Sequence, residues 1–462
     1  MGYAIGRTMQ PRIIPRKEHR VSRKQVSPNA LRTLYRLRDQ GFMAYLVGGC
    51  VRDLLLERTP KDFDIATDAT PGEIKRLFRN CRLVGRRFRL AHLHFQDEIL
   101  EVSTFRAAAP SVEEEDQEED SPHGPPRHLK NDDGMVLRDN VFGTPEEDAL
   151  RRDFTINALA YNIADFSVID YTTGLVDLEE RLLRTIGDPA LRFTEDPVRM
   201  IRAVRFAASH DFVIEPAAWD TLCALSATIS RASPARLYEE ILKLFLKGSA
   251  RRVLPLLEGS GLLEALFPDL FRWLQGNHRG RAMLLAGLEG LDEQVHRGSP
   301  LSPALFLAAV FGPMLEEAVL LRSRDGIPHL QALHEACALF LEGFCRVVTI
   351  PGRVGSQLRG ILAAQPALHR MPPRRPAAVA RRLEFPEALT YLRLKVETNQ
   401  GDGKVLAWWD AFLSGGPTPV TAESPVDSAP AKRRKRKRKR RRRPNSPSGM
   451  PDVPVLQEIP EG

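Results

Sequence analysis

Two aspartates one residue apart, Asp62 and Asp64, stand in the run Lys61-Asp62-Phe63-Asp64-Ile65-Ala66. On an extended strand, residues i and i+2 point to the same side. The two carboxylates then face one way and Phe63 and Ile65 the other. Carboxylates held like this suit a pair of divalent cations, which in nucleotidyl transfer sit ~3.5–4 Å apart and stabilise the attacking and leaving oxygens. Mg2+ is satisfied by a few carboxylates completed by the substrate's own phosphates. Taken alone, an Asp-x-Asp pair is more often two exposed acids at a strand edge.

Other groups of suitable type recur along the chain. Gly48-Gly49-Cys50-Val51-Arg52 places a glycine pair before a helix, where backbone N–H groups meet an anion and Arg52 adds a charge. Glu101, flanked by apolar residues in Ile99-Leu100-Glu101-Val102, is an acid on an interior strand that needs a partner, either a metal or an arginine such as Arg106. In Arg151-Arg152-Asp153-Phe154-Thr155-Ile156-Asn157, a helix would set Asp153 and Asn157 on one face beside Arg152, fit for ribose and triphosphate or for a salt-bridged surface. In Glu195-Asp196-Pro197-Val198-Arg199-Met200-Ile201-Arg202, Asp196 suits a helix N-cap with Pro197 at N1. Arg199 and Arg202 share one face of that helix. An Asp accepts from an exocyclic amine and an Arg donates to a ring nitrogen, so one Asp/Arg couple reads adenine or cytosine and rejects guanine and uracil. A capped amphipathic helix with solvated arginines has the same pattern.

The elements that must position these groups are legible around them. Ser27-Pro28-Asn29 opens a helix that repeats Leu31, Leu34, Tyr35 and Leu37 and ends at Gly41. Ala44–Val47 reads as a buried strand, 51–57 as a helix, 62–66 as a strand and 71–78 as a helix. Two further strands are expected at 92–95 and 99–105. This is an α+β unit over 27–150, a mixed sheet with helices, interrupted by an acidic mobile loop at 107–134. From about 146 the pattern is helical, in two parts over 151–250 and 251–415. Pro234–Leu246, for example, repeats Leu237, Ile241, Leu244 and Phe245 behind Ser233. Residues 1–26 read as a basic flexible lead. Residues 416–462 read as a disordered basic tail, too poor in apolar area to order itself.

Charge follows the same division. Lys432 to Arg443 are twelve consecutive basic residues, and removing them from the net +8 leaves −4 for the rest. A basic groove in the body must therefore be local. Five scattered cysteines with no Cys-x-x-Cys pair suggest free thiols in a reducing, cytoplasmic setting. The apolar stretch 301–315 holds Pro303 and Pro313 and is too short to span a membrane.

The order of the motifs carries more than any one of them. LVGGCVRDLLLERTPKDFDIAT, then RRDFTINALAYN, then EDPVRMIRAVRFAA resembles the tRNA nucleotidyltransferase and poly(A) polymerase superfamily, in its bacterial class II branch, from about residue 22 to 246. The resemblance implies a polymerase-β-like palm followed by an all-α region, a nucleotide-binding neck over 151–250 and an RNA-binding body and tail over 251–415. It implies that Asp62 and Asp64 hold two Mg2+ ions, with Mn2+ as an alternative, and that Glu101 is a third carboxylate. It assigns Arg152 and Asp153 to the catalytic centre and Asp196 and Arg199 to the base. Within it, 83–92 (LVGRRFRLAH) is similar to bacterial poly(A) polymerases rather than to CCA-adding enzymes. Arg86, Arg87 and Arg89, with Lys432, Arg433 and Arg434 of the tail, are then expected to bind RNA. The expected activity is ATP-dependent extension of RNA 3′ ends by a cytoplasmic monomer that uses no membrane. CCA addition to tRNA and an inactive RNA-binding protein are the alternatives.

Overall fold

The computed structural model describes residues 10–85, 89–107, 129–130, 136–138 and 141–416. The strands among the described residues are β1 (Arg12–Ile14), β2 (Ala44–Val47), β3 (Asp64–Thr67), β4 (Cys81–Val84), β5 (Leu90–His94), β6 (Ile99–Thr104), β7 (Leu129–Lys130), β8 (Val136–Arg138), β9 (Ala160–Asn162), β10 (Val168–Asp170), β11 (Leu182–Leu183) and β12 (Val213–Ile214), the last two a small parallel pair. Eight of them form one sheet in the order β1-β10-β9-β2-β3-β6-β5-β4, and β7 and β8 form a separate hairpin. Within the eight-stranded sheet only β3 and β6 pair in parallel, with Asp64 opposite Glu101.

Alternation along the strands divides the sheet's faces. Leu46, Ile65, Leu100 and Val102 enter the main core under helices Pro28–Asp39 and Pro71–Leu77. Val47, Ala66, Phe105 and Ala160 make a small patch on the other face. Asp64, Glu101, His92 and Arg82 form a row across β3, β6, β5 and β4 on that second face. Both helices begin at a serine or threonine cap followed by proline, and Thr70 and Glu73 complete a capping box.

Several expected boundaries move. The lead expected to be flexible to residue 26 contains β1, which pairs with β10 and closes that edge of the sheet. The palm does not end at 150, because β9 and β10 complete its sheet. Three-residue strands are too short to reveal a period of two. Strand β4, also missed, flanks β5. The 151–157 stretch is a turn followed by a 3-10 helix, Thr155–Asn157, rather than an α-helix. Residues 108–128 of the acidic loop and 417–462 of the tail lie outside the described residues, as do Arg86, Arg87, Lys432, Arg433 and Arg434.

Beyond the sheet the chain is nearly all helix. Pro234–Phe245 buries Leu237, Ile241, Leu244 and Phe245, as its spacing predicts, although Ser233 makes no side-chain cap bond. The apolar 301–315 stretch belongs to Pro303–Arg324, a 22-residue helix long and apolar enough to span a membrane by length and composition. Two thirds of its apolar window is buried within the protein; Phe311 packs with Phe267, Phe340 and Phe344, and Phe306 stacks on Phe245. Trp409 and Phe385 anchor a second core formed by the last helices.

Candidate active site

Strand β3 starts at Asp64, and Asp62 precedes it, exposed. Asp64 is exposed at the start of the strand, although protein atoms crowd its carboxyl. Burial, with the charges of Glu101 and Asp62, pushes its carboxyl up to about 6, against the opposing pull of Arg152. The expectation of a buried Glu101 is corrected: its side chain is half exposed on the open face, with His92 Nε2 at 3.6 Å. An interior strand of this sheet has one open face, so its residues need not be buried on both sides.

Asp64 thus lies opposite Glu101 and within reach of the Asp62 charge, with Arg152 as the opposing positive charge. The carboxylate donors are hard oxygens, which fit a divalent cation of the Mg2+ type. Among the described residues, no group of three or more His, Cys, Asp or Glu side chains is placed to hold a metal ion by itself. An open site of this kind leaves coordination positions to phosphate oxygens.

Gly48 and Arg152 bound the opposite wall. Gly48 has φ +75°, and a Cβ there would lie 2.7 Å from Arg152 Nη1. Helix Gly49–Leu55 starts immediately after it. Arg152 donates to the Asn157 carbonyl at 3.3 Å and to Asp148 Oδ2 at 2.9 Å. Asp148, which the sequence reading missed, sits one helical turn before Arg152 and aims its guanidinium across Gly48 toward Asp64. Gly48→Ala is therefore expected to displace Arg152 and to destabilise the fold by about 1–3 kcal/mol through backbone strain. Thermal unfolding and the KM for nucleotide measure the two effects.

Arg52 does not face an anion. It is buried, bonded through Nη1 to Asn157 Oδ1 at 2.7 Å and through Nε and Nη2 to Asp53 at 2.9 and 2.8 Å. In the first turn of a helix lying on the sheet, its side chain runs toward the neck and braces it. Asn157 continues this network by donating to Asp153 Oδ1 at 3.0 Å. Asp153 Oδ2 takes Arg202 at 2.7 Å. Asp153 is buried, and the Arg202 charge with the Asn157 hydrogen bond holds its carboxyl far below the usual carboxylate range despite that burial. Arg202 reaches Glu240 at 3.6 Å as well. Asp153 and Asn157 share a bond as expected, and Arg202, expected beside Arg199 on another helix face, joins them in a buried joint between palm and neck.

Asp196 is the residue after helix Pro189–Glu195, and Pro197 takes the N-cap place of helix Val198–His210. Its carboxylate accepts two hydrogen bonds from Arg236, at 2.9 and 2.7 Å, and one from Val198 N at 3.3 Å. Arg199 bonds instead to Glu195 and to the Arg192 carbonyl, each at 3.0 Å. The charged ends of Asp196 and Arg199 are thus held by different partners. Arg236 lies 40 residues from Asp196, and no local spacing pointed to it. Arg192 was also missed. It is largely buried, which lowers its guanidinium to about 10, and it donates to the carbonyls of Arg151 and Arg152, fixing the turn from which Arg152 projects.

Comparison with known proteins decides the lineage. A family model described as the poly A polymerase head domain matches residues 44–184, one for a probable RNA and SrmB-binding site of polymerase A matches 211–274, and one for the polymerase A arginine-rich C-terminus matches 325–445. Poly(A) polymerase I of Salmonella typhimurium is 41% identical over 430 residues, 91% of this chain and 90% of that protein. The chain belongs to the bacterial poly(A) polymerase family. It is a nucleotidyltransferase. The CCA-adding enzyme of Bacillus licheniformis is 38% identical over 237 residues, 51% of this chain and 55% of that enzyme. The solved CCA-adding enzyme of Bacillus stearothermophilus in complex with CTP has the same fold, with 25% identity, a TM-score of 0.56, and coverage of 84% of this chain and 83% of that one. Nucleotidyltransferases of this superfamily use divalent metals, in keeping with the all-oxygen donors of the cleft.

Proposed function

We propose that this enzyme transfers AMP from ATP to RNA 3′ ends: the 3′-OH attacks the α-phosphate and pyrophosphate leaves. The observation that carries this reading is similarity to poly(A) polymerase I over nine tenths of the chain, where similarity to the CCA-adding enzyme covers about half. Asp62 and Asp64 are the groups to hold two Mg2+ ions, or Mn2+ in their place, with Glu101 as third carboxylate. When bound, such ions lower the pKa of the 3′-OH and offset charge on the triphosphate.

The chain's own groups do the rest. Arg152, poised over Gly48, supplies a positive charge where phosphate oxygens crowd against the carboxylates. Gly48 and Gly49 let backbone approach those phosphates closely. Asp153, Asn157, Arg52 and Arg202 hold the neck at a set position on the palm. Asp196 Oδ2, which accepts only from Arg236, keeps a lone pair for an exocyclic amine, and Arg199 is the donor to the ring nitrogen. Arg89, exposed beside β5, and the tail with Lys432, Arg433 and Arg434 are proposed to hold RNA without sequence preference. A cytoplasmic monomer acting away from membranes completes the proposal.

Primer extension tests it. The enzyme, offered single nucleotides, is expected to build long A tails on unstructured RNA. Addition confined to tRNA and stopping after one to three nucleotides would mark a CCA-adding enzyme, and binding without addition an inactive relative.

A further inference from the structure

Arginines on the helical region are commonly neutralised by neighbours. Arg251 pairs with Glu289, Arg281 with Glu258, and Arg393 with Asp410. One segment gathers arginines that have no such neighbours. Between helices Gly352–Leu368 and Phe385–Glu397 lie five arginines, Arg370, Arg374, Arg375, Arg381 and Arg382, with no lysine and no acid from Pro366 to Leu383. All five are exposed, and none meets an acidic partner among the described residues. Leu383 beside them is 94% exposed, so nothing described covers this face.

The segment is held by the fold. Val379 and Phe385 are buried in the second core with Trp409. Arg375 has φ +57°, a left-handed conformation rare for a side chain with a Cβ, and its carbonyl accepts from Ala378 N and Val379 N to start helix Pro376–Ala380. Arg374 and Arg375 stand at one end of that short helix and Arg381 and Arg382 at the other, roughly 10 Å away at a helical rise of about 1.5 Å per residue.

We propose that Arg370–Arg382 is a docking surface for the phosphodiester backbone of single-stranded RNA, separate from the basic tail; its assignment to RNA rests on the polymerase reading. A guanidinium fork matches phosphate oxygens in geometry as well as charge, which explains the use of arginine alone. Two separated arginine pairs on a fixed support suit a repeating polyanion rather than a single phosphate. Apart from the Lys432–Arg443 run the chain carries net negative charge. RNA phosphates gain most where cations stand without acidic partners.

The test uses the full-length chain and a fluorescently labelled single-stranded RNA, with affinity measured across a salt series. R374Q/R381Q/R382Q is expected to weaken binding and to flatten the slope of log K against log salt by about 2, at about 0.7 per lost phosphate contact. R251Q/R281Q/R393Q, the same charge change at paired sites, is expected to leave the slope as it was. Neither triple touches the cleft, so turnover at saturating RNA and ATP should hold in both. An unchanged slope in the first variant would overturn the proposal and leave these arginines to another partner, such as an acidic protein. Equal flattening in both variants would also overturn it, since net charge alone would then account for the loss. A wild-type chain that bound RNA with this salt dependence but added no nucleotide would refute the polymerase reading and leave the surface standing.

Discussion

Asp64→Asn is expected to reduce nucleotide incorporation by on the order of a thousandfold or more, since metal-assisted charge stabilisation supplies several kcal/mol to the transition state and each 1.36 kcal/mol is tenfold. Its effect on the fold should have the opposite sense. Asp64 is held against Glu101 and Asp62 with only Arg152 to relieve it. Replacing its charge by an amide removes that repulsion, so the melting temperature in metal-free buffer should stay the same or rise. RNA affinity should be nearly intact. The assignment of Asp64 to the metal fails if the variant extends a primer at a rate near that of the wild type. A fall in stability together with activity would instead make Asp64 a structural residue.

Asp153→Ala should do the reverse, damaging the fold first. It strands Arg202 and Asn157 in the palm–neck joint, and removing one member of a buried ion pair costs about 3–5 kcal/mol. Because the folded state holds Asp153 well below its ordinary value, its contribution is fully present above the unfolded carboxylate pKa of about 4. It is lost as pH falls toward the depressed folded value. Wild type and variant should therefore differ most in denaturant midpoint near neutral pH and converge in acid. Equal stability at pH 7 would show that Asp153 is not the joint its bonds describe. Through Asn157, Arg52 is displaced too, so activity should fall even where the variant remains folded.

These two outcomes separate residues that the sequence presents alike. Asp62, Asp64 and Asp153 are all acids in motifs of this superfamily, and a one-dimensional pattern carries no burial. Strand and helix spacing made β2, β3 and β6 and the helices at 28–39, 71–77 and 234–245 legible, because long periodic runs advertise the face they bury. Strands β1, β9 and β10 were not legible, since three residues show no period and their pairing partners lie far along the chain. The reading of 151–157 as an α-helix failed although Asp153 and Asn157 do bond. A 3-10 turn also brings residues four apart within reach, which hid the error in spacing.

By itself the sequence determined the kinds of chemistry available to this chain. Asp62 and Asp64 two apart, glycines before a helix, and Asp196 three residues from Arg199 are short-range facts, and their order identifies the family. What each charge is paired with was decided only by the tertiary structure. It sets Glu101 on the open face opposite Asp64, turns Arg52 inward to Asn157, gives Asp196 to Arg236, and stands Arg152 over Gly48. The physical reason is that a charge's role depends on its solvation and its nearest opposite charge. Those neighbours come from elements tens of residues away, brought close only when the sheet and the neck have packed.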